Sequence, residues 1–474
     1  MASGGVDALR RVEVDNAAPF VPAPVVLASD PLRSARLCLG MRHLIDGQRT
    51  LHHYRDQFFA WDGTVYRAVS ASDVRTGLYQ FLEGTTDEET GKAFRPNTHR
   101  VNNVTDALRA VAHLPSHDEP PFWLRPHPIL HDAADRDVQS VANGLLHIPS
   151  RSLYPATPAY FATNALPVAF DAESPPPEKW LGFLQIIFEH DPGSIELLQE
   201  VFGYLLVLDT AQQKIFMLVG PPRSGKGTIA RVLTRLLGTA NIAAPTLSSL
   251  TTNFGLQPLI GKMLATVTDA RIGNRTDHAA VAERLLSVSG EDTTTIDRKH
   301  IAPWTGRLPT RFLFLTNEMP AIADTSGALA SRFLTLALAK SFLGREDPQL
   351  EEKLVPDLPG IFLWALAGLE RLRARGHFLP SDSTKRANLE LEKLASPIKS
   401  FIGDRCIVAA DQECLVDRLY SVWSSWCVRS GRRAGTKQVF GRDLRTVLPG
   451  LVVQRPRELG GEKGPRRYQG IGIR

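Results

Sequence analysis

The segment GPPRSGKGT (residues 220–228, here the glycine loop) constrains the fold of this chain more than any other part of the sequence. The apolar run KIFMLV precedes it, and IARVLTRLLG, a predicted helix ended by Gly238, follows it. Strand, glycine loop and helix in this order are the context of a phosphate-binding loop. Its glycines let backbone N–H groups point inward, and Lys226 can reach terminal phosphates. We therefore predict a nucleotide site here.

The residue after Lys226 departs from the strict pattern of such loops, which has serine or threonine there to bind magnesium. Gly227 takes that place and Thr228 follows. Either Thr228 supplies the hydroxyl or the ion is held through water. Nucleotide kinases also use a GKGT loop, so the motif alone leaves a kinase open. The residues assigned to nucleotide binding are Gly220, Pro221, Pro222, Arg223, Ser224, Gly225, Lys226, Gly227 and Thr228.

Two later apolar runs end in polar side chains that suit a site for ATP and Mg²⁺. LATVTDAR places Asp269 after a strand, where a carboxylate can hold magnesium and polarise the attacking water. RFLFLTNEMP places Asn317 at a strand tip, where an amide can orient that water. Arg332 can reach a γ-phosphate in cis or across a subunit interface. We predict Lys226, Asp269, Asn317 and Arg332 as catalytic residues, and Thr228 and Asp269 as metal ligands.

Positive charge is concentrated at the C-terminal end. The net charge is +5, but residues 428–474 carry twelve Lys/Arg against three Asp/Glu, or +9, which leaves −4 for the rest. This imbalance favours a polyanionic partner for the C-terminal segment. A solvated basic tail is the alternative.

The remaining composition is typical of a soluble globular protein, and 474 residues predict two or three domains. The N-terminal residues mix charges and lack the apolar core of a signal peptide. Apolar runs such as IFLWALAGL are shorter than the about 20 residues that span a bilayer, so we expect no membrane partner. No C-x-x-C pair occurs, which argues against a zinc ribbon or disulfide framework and for a reducing cytoplasm. The four cysteines are Cys38, Cys406, Cys414 and Cys427.

Changes in residue pattern predict where the domains lie. Residues 1–33 lack periodicity and are predicted to be a flexible N-terminal arm. Residues 34–172 predict a helical and mixed N-terminal domain. Within it, Asp62-Gly63 indicates a hairpin turn, and Ser72 is a plausible cap of the helix SDVRTGLYQFLE.

The rest of the chain divides into three further predicted segments. Residues 173–213 begin with a proline-rich joint and continue as a helical lead-in. Residues 214–380 alternate short apolar strands with helices, which favours a parallel sheet covered on both faces. Residues 381–474 predict a helical connector and the basic C-terminal domain.

In order and spacing, these motifs resemble superfamily 3 helicases of the phage and plasmid primase-helicase (poxvirus-type) family. NGLLHIPSRSLYPATPAYFATNALPVAFD (residues 143–171) is similar to the stretch upstream of that family's helicase domain, and EVFGYLLV to the helix before its phosphate loop. LLSVSGEDTTTIDRKH (residues 285–300) resembles the motif between its acidic strand and its sensor asparagine. LPGIFLWALAGLERL resembles the segment after its arginine finger. The resemblance covers the chain from roughly residue 50 to the C-terminus.

The resemblance implies an α/β fold: an AAA+-like P-loop ATPase core assembled into a homohexameric ring, with ATP and Mg²⁺ bound at subunit interfaces. Lys226 would be the phosphate-binding lysine and Asp269 the Walker B acid. Asn317 would be the sensor, and Arg332 the finger that completes a neighbour's site.

The resemblance also implies two DNA-contacting regions. Arg298, Lys299 and His300 fall where these proteins carry a hairpin that projects into the ring channel and would hold the phosphates of a single strand. At the C-terminus, two helices and a hairpin with this charge resemble a winged-helix module. Its second helix, capped by Thr436, would contact DNA backbone or bases; a module that packs on the ring is the alternative. The residues proposed there are Lys437, Arg442 and Arg445.

The function implied is that of an ATP-dependent replicative DNA helicase of a phage, plasmid or other mobile element, moving 3′ to 5′ on single-stranded and forked DNA. No catalytic-aspartate primase region is evident, so a separate primase or initiator is an expected partner. An origin-binding or scaffold ATPase without unwinding is the alternative. A nucleotide kinase would leave Asn317 and the hairpin motif without a purpose.

Overall fold

The computed structural model of this chain describes residues 23–130, 133–268, 277–299, 301–320, 322, 327–430, 434–455 and 464–474. It contains two compact units, one made of the described residues up to Trp61 with Arg67–His117, the other of Asp62–Tyr66 with Asp118–Arg474. The predicted boundaries at residues 172, 213 and 380 stay predictions. Among the described helices, none is long and apolar enough to cross a membrane.

The first unit packs helices and a β-hairpin around one apolar core. Helix α1 packs against α3, and β4 pairs antiparallel with β5. Val26, Leu39, Leu78 and Leu108 are among the side chains buried between them. The elements are β1 (Val25–Val26), α1 (Pro31–Arg42), β2 (Leu44–Ile45), β3 (Gln48–Arg49), β4 (Leu51–Tyr54), β5 (Gln57–Trp61), β6 (Tyr66–Val69), α2 (Ala71–Glu83), β7 (Thr86–Asp87) and α3 (Thr98–Val111).

Two predictions about this region are corrected. β1 pairs in parallel with β7 and Val26 is fully buried, so regular structure begins within the predicted arm at residues 1–33; residues 1–22 lie outside the described residues. Helix α2 is capped by Ser70 and not by Ser72. The Ser70 hydroxyl accepts a hydrogen bond from the Asp73 backbone N–H at 3.1 Å. A capping residue needs an extended backbone, which Ser70 has (φ −66°, ψ 149°), whereas Ser72 lies inside the first turn.

We expect the first unit to lose stability as the pH falls from about 6.5 to 4, because His52 is 5% exposed and its burial lowers its pKa to about 4. The unfolded chain binds a proton near pH 6.5, so acid favours unfolding. The stabilisation is complete above pH 6.5, and its full loss is about 3 kcal/mol. Urea unfolding at several pH values measures it. His52→Gln should flatten this dependence, whereas His99→Gln, on the exposed face of α3, should leave it unchanged. Equal slopes in both variants would contradict the assignment.

The second unit opens with a small antiparallel sheet and two helices. The sheet has the strand order β11-β10-β9. The Asn164 side chain then donates hydrogen bonds to the Asn241 side-chain oxygen and the Gly261 carbonyl, both at 2.8 Å, which ties this segment to the residues around the central sheet. The elements are β8 (Phe122–Trp123), β9 (Val138–Val141), β10 (Gly144–His147), β11 (Ser152–Tyr154), β12 (Tyr160–Phe161), α4 (Glu178–Ile187) and α5 (Pro192–Leu205).

A five-stranded parallel sheet forms the centre of the second unit, as the sequence predicts. Its strand order is β14-β15-β18-β13-β19. The elements are β13 (Ile215–Val219), α6 (Lys226–Leu237), β14 (Ile242–Ala243), α7 (Leu247–Leu250), β15 (Leu264–Val267), α8 (His278–Ser289), β16 (Thr294–Arg298), β17 (Ile301–Gly306), β18 (Arg311–Thr316), α9 (Ala328–Arg332), β19 (Phe333–Ala337), α10 (Leu350–Leu354) and α11 (Leu358–Arg375).

Both faces of this sheet are covered. Alternate residues of β13 belong to different cores: Phe216 and Leu218 pack with α5, α6 and α11, while Ile215 and Met217 pack with α7 and α8. This explains why the strands read as continuous apolar runs.

Helices α5 and α11 approach closely at Gly203 and Gly368, and they enclose a buried carboxylate. A Cβ on Gly203 would lie 2.2 Å from the Ala365 carbonyl oxygen, so a larger residue does not fit. One turn before it, Glu200 is 2% exposed. Its oxygens accept from Arg371 Nε at 2.8 Å and from an Arg375 Nη at 2.5 Å.

Glu200→Ala is expected to lower the free energy of unfolding of the second unit by about 3 kcal/mol. The variant leaves two guanidinium groups without their carboxylate, and their partial exposure keeps the loss at the lower end of the usual range. Urea unfolding followed by tryptophan fluorescence measures the change. Glu196→Ala, one turn earlier on the exposed side of α5, is the matched control. A loss of the same size in the control would contradict the pairing argument.

The C-terminal part has the predicted order of two helices followed by a pair of strands. β22 pairs antiparallel with β23, and Thr436 caps α15. An additional strand, β21, pairs with the other edge of β23. The winged-helix assignment stays a prediction. The elements are α12 (Asp382–Ala395), α13 (Pro397–Arg405), β20 (Cys406–Ile407), β21 (Glu413–Leu415), α14 (Val416–Arg429), α15 (Lys437–Val447), β22 (Val452–Gln454), β23 (Arg467–Gln469) and β24 (Gly472–Ile473).

Candidate functional site

The glycine loop connects the end of β13 to the start of α6. Its backbone turns through the left-handed region at Arg223 (φ +58°) and Gly225 (φ +98°). Gly220 is required for another reason, since a Cβ there would lie 2.3 Å from the Leu338 carbonyl oxygen. The loop therefore curls at the carboxyl edge of the sheet with the N-terminus of α6 behind it, the geometry that the sequence pattern predicts.

Lys226 folds back over this loop. Its Nζ donates to the carbonyl oxygens of Gly220 at 2.6 Å and Pro221 at 2.8 Å, and to Ser224 Oγ at 3.0 Å. The residue is 9% exposed, and burial lowers the pKa of its ammonium group. A cation is thus held at the centre of the curled loop, where it would meet an anion.

Thr228 is the first residue after Lys226 that carries a side-chain hydroxyl. It is 8% exposed and lines the same cleft as Lys226. Its Oγ1 accepts a hydrogen bond from an Arg231 Nη at 3.3 Å. This placement is consistent with the option that the Thr228 hydroxyl itself binds magnesium. Binding of the ion through water stays the alternative.

Asn317 is brought to the glycine loop by strand order. β18 lies next to β13 with Thr316 opposite Val219, so the residue after β18 emerges beside the loop. Asn317 and Lys226 line one cleft of about 640 Å³. Asp269 lies outside the described residues, but β15, which ends at Val267, is the neighbour of β18 on its other side.

Arg332 lies at the opposite end of the sheet, where the parallel strands β13 and β19 begin. β19 is parallel to β13 and pairs Phe333 with Ile215, so Arg332 precedes the strand where β13 begins, roughly 13 Å of strand away from the glycine loop. It is half-buried, and one Nη donates to the Ser289 carbonyl at 2.8 Å. This position does not support the option that Arg332 reaches a γ-phosphate bound by its own chain. A role across a subunit interface stays a prediction.

The predicted hairpin is present, but one of its three cations is not exposed. β16 and β17 pair antiparallel with a register irregularity between Ile296 and Arg298. Arg298 is 9% exposed, and its Nε donates to the Ala302 carbonyl at 2.7 Å. The side chain therefore stabilises the hairpin and is not an exposed cation, which corrects the prediction for this residue. Lys299 is exposed at the tip; His300 lies outside the described residues.

The three predicted basic residues of α15 are exposed. Lys437 forms an ion pair with Asp417, and Arg442 Nε lies 3.0 Å from Asp443 Oδ1. Arg445 Nε donates to the Gly441 carbonyl at 3.1 Å. Their position suits a charged surface, and a DNA contact by them stays a prediction.

Sequence reasoning did not identify the two walls of the cleft outside the glycine loop. One wall is a face of α4, which we predicted only as part of a lead-in helix, and the other is the segment after β19. An apolar residue on the outer face of α4, Ile186, was the available signal. The residues of these walls are Lys179, Gly182, Phe183, Ile186, Phe342, Arg345, Glu346, Asp347 and Leu350.

Comparisons with known proteins give two family matches and several structures of similar fold. Residues 41–189 match a family model described as D5 N terminal like, and residues 218–332 match one described as a family of unknown function. The apo structure of the NrS-1 C terminal region (305–718) has a TM-score of 0.55 at 13% identity, covering 94% of this chain and 99% of that one. An A-form apo structure of the same region has a TM-score of 0.51 at 12% identity, covering 94% and 100%.

At such identities the likeness to these structures shows the fold. The D5 N terminal like match contains residues 143–171, on which the upstream part of the family resemblance rests. The family match covers residues 41–189, under half of the chain, whereas the shared fold extends over 94% of it.

Proposed function

We propose that this chain is an ATP-driven replicative DNA helicase that works as a homohexameric ring. ATP bound at each subunit interface would be hydrolysed to move the ring along single-stranded DNA, 3′ to 5′, and so to open a fork. The observation that carries the proposal is the cleft at the carboxyl edge of the sheet, which Lys226, Thr228 and Asn317 line together.

Each residue of the cleft has a separate task. The oxygens of the β- and γ-phosphates would replace the three loop oxygens that Lys226 now contacts. The backbone N–H groups at the start of α6 would face the same phosphates. The Asn317 amide would orient the attacking water, and Arg332 of a neighbouring subunit would stabilise the charge of the transition state.

A magnesium ion fits the chemistry of the residues present. The Thr228 hydroxyl lies in the cleft next to Lys226, and an oxygen donor of this kind is what Mg²⁺ prefers. Asp269 would provide the carboxylate from the strand beyond β18. Mg²⁺ would neutralise phosphate charge during hydrolysis.

DNA would contact the protein at two places. Lys299 at the tip of the β16–β17 hairpin, with His300, would hold phosphates of the strand in the ring channel, which makes binding salt-dependent and indifferent to sequence. The exposed basic side chains of α15 would contact further DNA, at its backbone or its bases. The alternative is that the C-terminal module of two helices and a strand pair packs on the ring. A separate primase or initiator would be a further partner.

A forked-DNA assay with the purified chain tests the proposal. We expect ATP hydrolysis that single-stranded DNA stimulates, and separation of the two strands with ATP and Mg²⁺. Hydrolysis without strand separation under any fork geometry would favour the alternative of an origin-binding or scaffold ATPase. Phosphorylation of a nucleoside monophosphate would favour a nucleotide kinase.

A further inference from the structure

A second cavity, of about 710 Å³, adjoins the cleft that Lys226 lines. Asn317 borders both spaces, and Gly220, the first residue of the glycine loop, borders the second cavity. The Gly220 carbonyl oxygen accepts a hydrogen bond from Lys226 Nζ at 2.6 Å. The two spaces therefore meet beside the lysine that the proposed function assigns to the terminal phosphates.

Hydrolysis of ATP requires a proton acceptor in a space of this kind. The attacking water and the leaving oxygen lie roughly in line, on opposite sides of the γ-phosphorus. The water therefore approaches from the side that faces away from the rest of the nucleotide, and a base has to lie within hydrogen-bond reach of it there. Asp269 is predicted to bind magnesium, and a carboxylate next to a cation is a weak proton acceptor because the positive charge favours its ionised form.

Strand pairing places Glu318 in the second cavity. β18 lies next to β13 with Thr316 opposite Val219, and the Gly220 N–H donates to the Thr316 carbonyl at 3.3 Å. Asn317 and Glu318 follow directly after this point, and both line the cavity. The turn that carries them is stabilised by Thr316, whose Oγ1 donates to the Glu318 carbonyl at 2.6 Å. The position of Glu318 beside the glycine loop is therefore set by the sheet itself.

The carboxylates that line the second cavity differ in what they contact. Glu189 forms an ion pair with Lys340, and Asp191 accepts hydrogen bonds from three serine hydroxyls. In the part of the chain that the structure describes, the carboxylates of Glu318 and Glu390 form no ion pair. Glu390 lies on α12, whereas Glu318 is the residue next to the predicted sensor asparagine. Glu318 thus combines an available carboxylate with a place beside the glycine loop.

We propose that Glu318 is the general base of the ATP hydrolysis proposed above, on which this inference rests. Its carboxylate takes one proton from the water that Asn317 orients, while the water oxygen forms a bond to the γ-phosphorus. The bond from that phosphorus to the bridging oxygen breaks, and its electron pair leaves with ADP. The proton then passes from Glu318 to solvent, to which the side chain is exposed. Asp269 keeps only the metal-binding role predicted for it.

Glu318→Gln in the purified chain tests this role, since glutamine keeps the shape of the side chain and removes the proton acceptor. The kcat for ATP in the presence of single-stranded DNA should fall by about 10²-fold or more. The affinity for a non-hydrolysable ATP analogue, measured by calorimetry, should stay within about threefold, because the lost interaction forms only in the transition state. Glu390→Gln, the same change at another exposed carboxylate of the second cavity, is the matched control and should hydrolyse at the wild-type rate.

Chemical rescue separates a proton acceptor from a structural side chain. Sodium formate, a small carboxylate, should restore part of the turnover of Glu318→Ala as its concentration rises at constant ionic strength, and sodium chloride should restore none. Wild-type hydrolysis by Glu318→Gln overturns the role of Glu318, and so does an equal loss in Glu390→Gln or a lack of any rescue by formate. Wild-type protein that does not hydrolyse ATP would instead overturn the proposed function.

Discussion

Arg332→Ala is expected to lower DNA-stimulated ATP hydrolysis by about 10³-fold or more while nucleotide binding persists. The reason is its position: it lies at the end of the sheet where β13 begins, away from the glycine loop of its own chain, where we propose that phosphates bind. In the proposed ring, an arginine there would stabilise transition-state charge in a neighbour's site. Its loss therefore affects the rate of hydrolysis far more than the affinity for ATP, and steady-state hydrolysis with parallel binding measurements separates the two.

Arg332→Lys controls for the structural contact of this residue. The arginine also donates to the Ser289 carbonyl, so alanine could loosen α8. Lysine keeps one donor and the charge but lacks the planar fork, so the fold should be kept and hydrolysis should still fall. Unchanged hydrolysis in both variants would rule out the finger.

Lys226→Ala is the second large effect, an expected loss of about 10²–10³-fold in hydrolysis together with weaker nucleotide binding. Its Nζ is held among three oxygens of the glycine loop, whereas Lys179, which also lines the cleft, lies on α4. Lys385→Ala, an exposed lysine of α12 paired with Asp382, is the control and should hydrolyse at the wild-type rate. A Lys226→Ala protein that still unwinds forked DNA would refute the site.

Mixing the two inactive variants distinguishes a shared site from a cis site. In a ring that contains both, some interfaces join the intact Lys226 of one subunit to the intact Arg332 of the next. Those interfaces should recover hydrolysis, to a level that depends on the mixing ratio. A mixture as inactive as its components would mean that both residues serve the same chain or that no ring forms.

The pattern of neighbouring residues was enough to predict loops and helix ends that depend on short segments. The glycine loop, the helix that ends at Gly238 and the helix that Thr436 caps are all present as predicted, because glycine conformations and capping hydrogen bonds depend on residues within one or two turns. The same reasoning placed the cap of α2 two residues too late, since two serines close together both satisfy the pattern and only the backbone angles choose between them.

Local sequence pattern could not predict which side chains are buried or which residues from distant parts of the chain come together. Arg298 looked like an exposed cation of a hairpin tip, but an irregular register turns it inward to a backbone carbonyl. Likewise, Phe342 and Gly182 meet at one cleft although 160 residues separate them, because β19 pairs next to β13 and carries the following segment along the glycine loop.

The amino-acid sequence by itself determined the glycine loop with the helix after it, the alternation of apolar strands with helices and the basic C-terminus, since each follows from neighbouring residues and their periodicity. Tertiary structure alone decided which strands are neighbours. That order places Asn317 in the same cleft as Lys226 and places Arg332 at the end of the sheet where β13 begins. Strand order depends on how all the apolar faces pack together, and such packing is a property of the whole unit.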